Sequence, residues 1–303
     1  MKMIRTLCRT TAALLMFFSA TPLFAQADNA LSFFVIGDWG TGGKGARRVA
    51  TAMSDEFARK PVAAVISTGD NIYPSGVSSV DDPQWQSKFE KIFSTEKLPV
   101  PFWAVLGNHD CRKNPDAQVA YSEKVLANGR RARWRMPAKN WTTVVEEPAS
   151  EMTVRLVGID TQQIVGSKSQ RKVVLAWLDS VLTATRETHC LVVGHHPVYS
   201  HGHYGNNRTM QRHVAPMLER HGVLAYLNGH EHDLQLIKPI NGVRYVISGG
   251  GGGKRKTKPG KNTEYCASSL GFFRLTIRPA TMDISMIDDH GKVLYSCTDR
   301  IQK

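Results

Sequence analysis

The stretch LSFFVIGDWG, residues 31–40, sets the reading of the whole chain. Its first six residues are apolar but for one serine, the composition of a short strand buried on both faces. The run stops at Gly37, and Asp38 follows at once. Glycine lets backbone turn sharply and lets a neighbouring segment come close, so a carboxylate is left standing at the carboxyl end of a buried strand. The pattern recurs downstream. Residues 62–68 run into Gly69-Asp70-Asn71-Ile72-Tyr73, and residues 102–106 into Gly107-Asn108-His109-Asp110. Residues 190–193 run into Gly194-His195-His196-Pro197, and residues 223–227 lead through Asn228 to Gly229-His230-Glu231-His232.

Helical patterns lie between these runs. Ala46, Val49, Ala50, Met53 and Phe57 recur at helical spacing over residues 44–59. Asp82-Pro83 reads as an N-cap followed by proline at the first helical position. Residue 152–159 is a further strand, residues 172–182 form an amphipathic helix, and another helix is predicted over 212–220. From Val243 onward RYVIS, FFRLTI, MDISMI and KVLYS follow one another with turns and no helix. The chain is therefore α/β with a β-rich C-terminal part. No Pro/Ser-rich linker divides it, and one compact domain is expected.

Composition agrees with a globular chain. Of its 303 residues 42% are hydrophobic and 21% charged, far from the polar signature of disorder. No short period runs through it, which excludes collagen-like, mucin-like and coiled-coil readings. Lys and Arg number 39 against 26 Asp and Glu, a positive field that favours anionic ligands. Residues 1–27 read as a secretory signal peptide: Lys2, Arg5 and Arg9, an apolar run to Phe24, then Ala25-Gln26-Ala27. That run is shorter than the roughly 20 residues a spanning helix needs, so no stable membrane insertion is expected after cleavage. The mature chain, residues 28–303 or from Gln26, is expected to be periplasmic or secreted. Cys8 would leave with the leader. Cys111, Cys190, Cys266 and Cys297 would remain, either as two disulfides or as free thiols.

The chemistry lies at the strand ends. In open α/β sheets ligands bind outside the carboxyl ends of the strands, so five polar clusters on such ends predict one shared site. Asp38, Asp70, Tyr73, Asn108, His195, His230 and His232 supply two carboxylates, a phenol, an amide carbonyl and three imidazoles. This mixed oxygen and nitrogen set suits Fe, Zn or Mn, whereas Mg or Ca would want nearly all oxygen. Seven donors are too many for one ion and suit two ions sharing a carboxylate. His196 reads as a supporting or structural side chain.

These five blocks resemble the signature of the calcineurin-like metallophosphoesterases. Tyr73, three residues after Asp70, narrows the resemblance to the purple acid phosphatases, and DAQVAYSE (116–123) and HGVLAYLNGHEHDLQ (221–235) are similar to the small, tartrate-resistant type. The resemblance implies a four-layer αββα sandwich, two mixed β-sheets flanked by helices, with a dinuclear metal site at the strand C-terminal ends. It implies that Asp38, Tyr73 and His232 join Asp70 on Fe(III), and that Asn108, His195 and His230 join Asp70 on a divalent metal (Fe, Zn or Mn). The implied activity is an acid phosphatase that hydrolyses phosphate monoesters by attack of metal-bound hydroxide. His109 has the place of a substrate-contacting acid. His203, eight residues after His195, is the candidate proton donor to the leaving group, with His201 as its competitor. The expected partner is a small-molecule phosphoester, the expected state a monomer, and no nucleic-acid partner is expected. A phosphodiesterase or nucleotide hydrolase using the same site, and a non-catalytic metal or phosphate binder, are the alternatives.

Two further motifs stay outside this reading. Gly40-Thr41-Gly42-Gly43-Lys44-Gly45 fits G-x-G-x-x-G after a strand, but no acid closes the next strand at the ribose position, and the G-K-[ST] of a P-loop is missing. It reads as a flexible loop. Gly249–Gly253 running into Lys254-Arg255-Lys256-Thr257-Lys258 is either mobile or pressed against something; the basic run reads first as a solvated loop, and second as a charge that draws in anionic substrates.

Overall fold

A computed structural model describes residues 29–126, 129–146 and 152–301. The leader at 1–27 lies outside the described residues. In chain order the elements are β1 (Leu31–Ile36), α1 (Lys44–Arg59), β2 (Ala64–Ser67), β3 (Phe102–Ala104), α2 (Pro115–Ala120), β4 (Trp134–Arg135) and β5 (Trp141–Glu146). There follow β6 (Thr153–Gly158), α3 (Thr161–Gly166), α4 (Lys168–Ala184), β7 (His189–Val193), α5 (Arg208–His213), α6 (Ala215–Arg220) and β8 (Ala225–Asn228). The chain closes with β9 (Leu234–Ile240), β10 (Val243–Ser248), β11 (Thr263–Ala267), β12 (Gly271–Ile277), β13 (Thr281–Asp288) and β14 (Val293–Arg300).

The strands form two sheets, ordered β14-β13-β12-β1-β2-β3-β4 and β11-β9-β10-β8-β7-β6-β5. Both are mixed. β1 to β4 are parallel and β12 to β14 add antiparallel strands on the far side of β1. In the second sheet β10, β8, β7 and β6 are parallel, with β9 and β5 antiparallel at the flanks. Period-two alternation decides which face each residue serves. Leu191, Val193 and Leu227 join Phe33, Val35 and Phe273 in the core between the sheets. Val192 and Tyr226, on the opposite face, pack with Val174, Leu178, Met210 and Leu218 of α4, α5 and α6. Each parallel strand is thus apolar on both faces, which is why the runs read as continuous rather than alternating.

Three local points of the sequence reading can be followed in the structure. A helical segment does start at Asp82-Pro83: the Asp82 carboxylate accepts hydrogen bonds from Ser78 N, Ser78 Oγ and Gln84 N at 2.7–3.0 Å, Ser87 N donates to Pro83 O at 3.1 Å, and the segment runs on from Trp85 as a wide π-helix. The 212–220 helix is two, α5 and α6, joined at Val214 with a proline in the first turn of the second. The cysteines Cys111, Cys190, Cys266 and Cys297 are free thiols. A cavity of about 780 Å³ lies at the amino ends of the parallel strands of the second sheet, lined by His189, Cys190, Leu224, Arg244, Asp299 and Arg300 among others. It contains none of the candidate site residues.

Candidate metal centre

Asp38, Asp70 and His230 have left-handed backbone, with φ of 58°, 52° and 70°. Each directly follows a glycine. Such conformations are uncommon outside glycine, though Asp, Asn and His tolerate them best, and they persist where surrounding structure over-determines them. Here the turns are stitched to one another: Asp38 N donates to Gly69 O at 2.9 Å, Tyr73 N to Gly40 O at 3.0 Å, and Gly229 N to His195 O at 3.2 Å. The Gly40 end of the 40–45 motif is therefore knitted into the Asp70–Tyr73 segment, not left loose. The crowding explains Gly107, where a Cβ would fall 2.1 Å from Asp70 Oδ1.

The seven candidate donors converge in two groups. In the first, Tyr73 OH lies 3.0 Å from Asp38 Oδ1 and 3.1 Å from His232 Nε2, with His232 Nε2 3.5 Å from Asp38 Oδ1. In the second, Asn108 Oδ1 lies 3.1 Å from both His195 Nε2 and His230 Nδ1, which are 3.2 Å apart. Asp70 stands between them, its Oδ1 3.5 Å from His195 Nε2, and ligand atoms of Asp38, Asp70 and His195 all lie within 4.8 Å of one another. Metal–ligand bonds of about 2.1 Å bring neighbouring donors to roughly 3 Å of one another, the spacing found in both groups. Asp38, Asp70 and His195 form a buried floor, while Tyr73, Asn108, His230 and His232 are partly exposed.

Protons are arranged to leave lone pairs pointing inward. His195 Nδ1 lies 2.9 Å from Thr68 O and donates to that carbonyl, which turns Nε2 toward Asn108 and His230. Burial holds His230 well below the ordinary imidazole range, with His195 adding to it, and brings His232 down to about 4 with help from Arg255. Both rings are therefore neutral. Burial, then the Asp70 charge, pushes the Asp38 carboxyl well above the usual range, and burial with Asp38 and Asp70 pushes the Tyr73 phenol up. Among the described residues no Lys or Arg forms an ion pair with Asp38 or Asp70. A buried pair of carboxylates beside neutral imidazoles, without a Lys or Arg partner, is an environment that cations would relieve. The donor set fits a metal pair.

Around the donors lies a supporting set. Asp110, fully buried, accepts from Asn71 N, Ile72 N and Gly107 N at 2.8–3.1 Å and so pins two of the turns. Thr161 Oγ1 accepts from His195 N and His196 N, so its hydroxyl proton goes to His196 Nδ1 at 2.8 Å. His196 is thereby engaged as a structural side chain, and burial lowers its imidazole to about 3. His109 donates Nδ1–H to Pro74 O at 2.7 Å and turns Nε2 toward Asp70 Oδ2, 4.0 Å away.

The structure separates the remaining histidines from the donors. His203 is exposed, its ring 4.8 Å from and edge-on to Tyr204. His201 packs over Gly260. The side chain that covers His230 is Tyr204, stacked at 4.5 Å, and the Arg255 guanidinium lies 5.1 Å from the centre of the Tyr204 ring. Glu231, buried between the two candidate histidines, holds this loop by accepting from Ser200 Oγ, Tyr204 N and Gly205 N at 2.8–3.0 Å. Sequence reasoning gave no role to Tyr204, Glu231 or Thr161. An aromatic next to His203 and an acid inside His-x-His were the only signals available.

The fold and the two donor groups define a class. The chain belongs to the calcineurin-like phosphoesterase family, whose model matches residues 31–234 and so spans all seven donors. Its relatives narrow that to the purple acid phosphatases of tartrate-resistant type. It is 33% identical to "Tartrate-resistant acid phosphatase type 5" of Mus musculus over 296 residues, covering 88% of this chain and 89% of the relative. The Homo sapiens protein of that name is also 33% identical, with 89% and 90% covered. "Purple acid phosphatase 3" of Arabidopsis thaliana is 29% identical, with 89% and 78% covered. Among solved structures, "GAP50 the anchor in the inner membrane complex of Plasmodium" superposes with a TM-score of 0.82 at 24% identity, covering 91% of this chain and 90% of that one. The purple acid phosphatase PPD1 of yellow lupin (Lupinus luteus) seeds gives 0.66 at 14% identity, with 89% and 54% covered; both likenesses concern the fold. The relationship makes the chain a metal-dependent phosphatase and implies a dinuclear centre.

Proposed function

We propose that the protein is an exported acid phosphatase that hydrolyses phosphate monoesters of small molecules. The observation that carries the reading is the division of the donors into two groups of three that share Asp70. In it Asp38, Tyr73 and His232 hold Fe(III) with Asp70, and Asn108, His195 and His230 hold a divalent Fe, Zn or Mn with Asp70. A phenol becomes an anionic ligand readily only beside a strongly acidic cation, which favours the ferric ion on the Tyr73 side. Such ions, when bound, neutralise phosphoryl charge and make water available as a nucleophile in acid. The chain itself orients the substrate. His109, its Nδ1–H held by Pro74, places its ring at the mouth, where a protonated Nε2 would donate to a phosphoryl oxygen. His203 is the candidate donor to the departing alcohol, and Tyr204, nearer to His230, is compared with it in the test below. The leader at 1–27 supports a periplasmic or secreted location, and a monomer is the state proposed.

The test is purified mature protein with its metals quantified, assayed from acid to neutral pH on a phosphomonoester and a phosphodiester with the same chromogenic leaving group. A monoester preference at acid pH is the expected result. A diester preference would move the reading to nucleotide or lipid headgroup cleavage, and no turnover with both metals bound would make the protein a binder. In the same preparation His203→Ala and Tyr204→Phe are compared on good and poor leaving groups; the proton donor is the one whose loss slows the poor leaving group selectively. Tyr73→Phe abolishes the visible absorption band expected of a ferric phenolate.

A further inference from the structure

The glycine-rich run and the basic run that follows it are a single built feature. The glycines are pressed against the candidate ligands: a Cβ at Gly249 would meet Glu231 O at 1.8 Å and Asp38 Oδ2 at 2.9 Å, and one at Gly252 would meet Asp38 O at 2.8 Å. The segment beyond is pinned at alternate residues. Arg255 N donates to His232 O at 2.6 Å and Thr257 N to Ser268 Oγ at 2.8 Å. Lys254, Lys256 and Lys258 accordingly stand out in solvent, while Arg255 is turned inward. Its guanidinium rests on Tyr204, the ring that stacks on His230. Arg255 forms no ion pair among the described residues, and its Nη1 is buried without a hydrogen-bond partner.

A buried guanidinium nitrogen with no acceptor asks for an explanation, and stacking on an aromatic ring pre-organises the group for recognition of a planar or tetrahedral anion. It makes no hydrogen bond to any candidate donor atom, so it flanks the metal cluster and is not part of it. We propose that Arg255 is a specificity-determining residue, which receives a second anionic group, carboxylate or phosphate, carried on the leaving-group side of the phosphoester. The inference rests on the phosphatase reading above. The three exposed lysines add long-range attraction screened by salt. Arg255 adds a short-range, charge-assisted contact.

The experiment uses metal-loaded protein and three substrates on one ring: phenyl phosphate, 3-carboxyphenyl phosphate and 1,3-phenylene bisphosphate. The wild type is expected to favour one or both charged substrates by about ten-fold in kcat/KM, mainly through KM, as one charge-assisted hydrogen bond supplies. The two charged substrates tell which anion is preferred. Arg255→Gln brings the ratio to near one and Arg255→Lys restores part of it. Lys254→Ala/Lys256→Ala/Lys258→Ala weakens the salt dependence and keeps the ratio. A wild type without preference, or Arg255→Gln lowering all three substrates equally, overturns the proposal. So does a preference lost with the lysines but kept in Arg255→Gln. If no substrate turns over, the phosphatase reading fails on its own, and calorimetric binding of inorganic pyrophosphate against inorganic phosphate decides this one. Tighter pyrophosphate binding that Arg255→Gln removes upholds it, and equal binding sinks it.

Discussion

At the scale of single residues, Asp70 has the most depending on it. It touches His195 at 3.5 Å, accepts from His109 N at 2.9 Å, and lies between both donor groups. Supporting residues around metal ligands are worth roughly 10–100-fold in affinity or activity, so a shared ligand is worth more. Asp70→Asn is expected to lower turnover by over about 100-fold and to leave less than the full metal complement by elemental analysis; unchanged turnover with unchanged metal would remove the bridging assignment. The seven donors were legible because each follows a strand and a glycine, a signal confined to a few neighbouring residues. Tyr204 and Arg255 were not. Their contact joins loops about fifty residues apart, and no local pattern encodes a stack between them. Counting from His195 selected His203, but the backbone turns that side chain outward and puts the next one over His230.

At the scale of elements, the strands buried on both faces were legible, and the outer strands of the second sheet were not. Continuous apolar runs marked β1, β2, β3, β7 and β8, which are buried on both faces. β5 and β11, outermost in the second sheet, are mostly half-exposed along their length, and the sequence reading assigned them no element. Asp82-Pro83 was legible as a helix start, though not that the helix would be of the wide π type. Burial alone would raise the Asp82 carboxyl, but hydrogen bonds from Gln84 N and from Ser78 N and Oγ outweigh that and hold it at about 2. A folded value below the unfolded one gives stability that is present above about pH 4. It is lost as pH falls through the folded value of about 2. Asp82→Ala should therefore cost about 1–2 kcal/mol at neutral pH, with the gap closing in acid, as denaturant titrations of both proteins at several pH values would read.

At the scale of the whole molecule, the two sheets divide the chemistry. Asp38, Asp70, Tyr73 and Asn108 follow β1, β2 and β3 of one sheet, and His195, His230 and His232 follow β7 and β8 of the other. Oxygen comes from one layer and nitrogen from the other, and each donor group draws on both. Metal removal should therefore loosen the packing of the layers as well as stop the reaction. An ion at a hundred-fold excess over its Kd adds about 2.7 kcal/mol, so chelation is expected to lower Tm by about 5 °C per site in a chain of this size; an unchanged melting curve after complete removal would contradict it. The same division has a mechanical side. Ions held by both donor groups would join the layers along one edge and act as rivets there, while the opposite edge holds the cavity of about 780 Å³. Under tension across the layers the loaded molecule would open like a book, spine at the metals, and the empty one would have no spine.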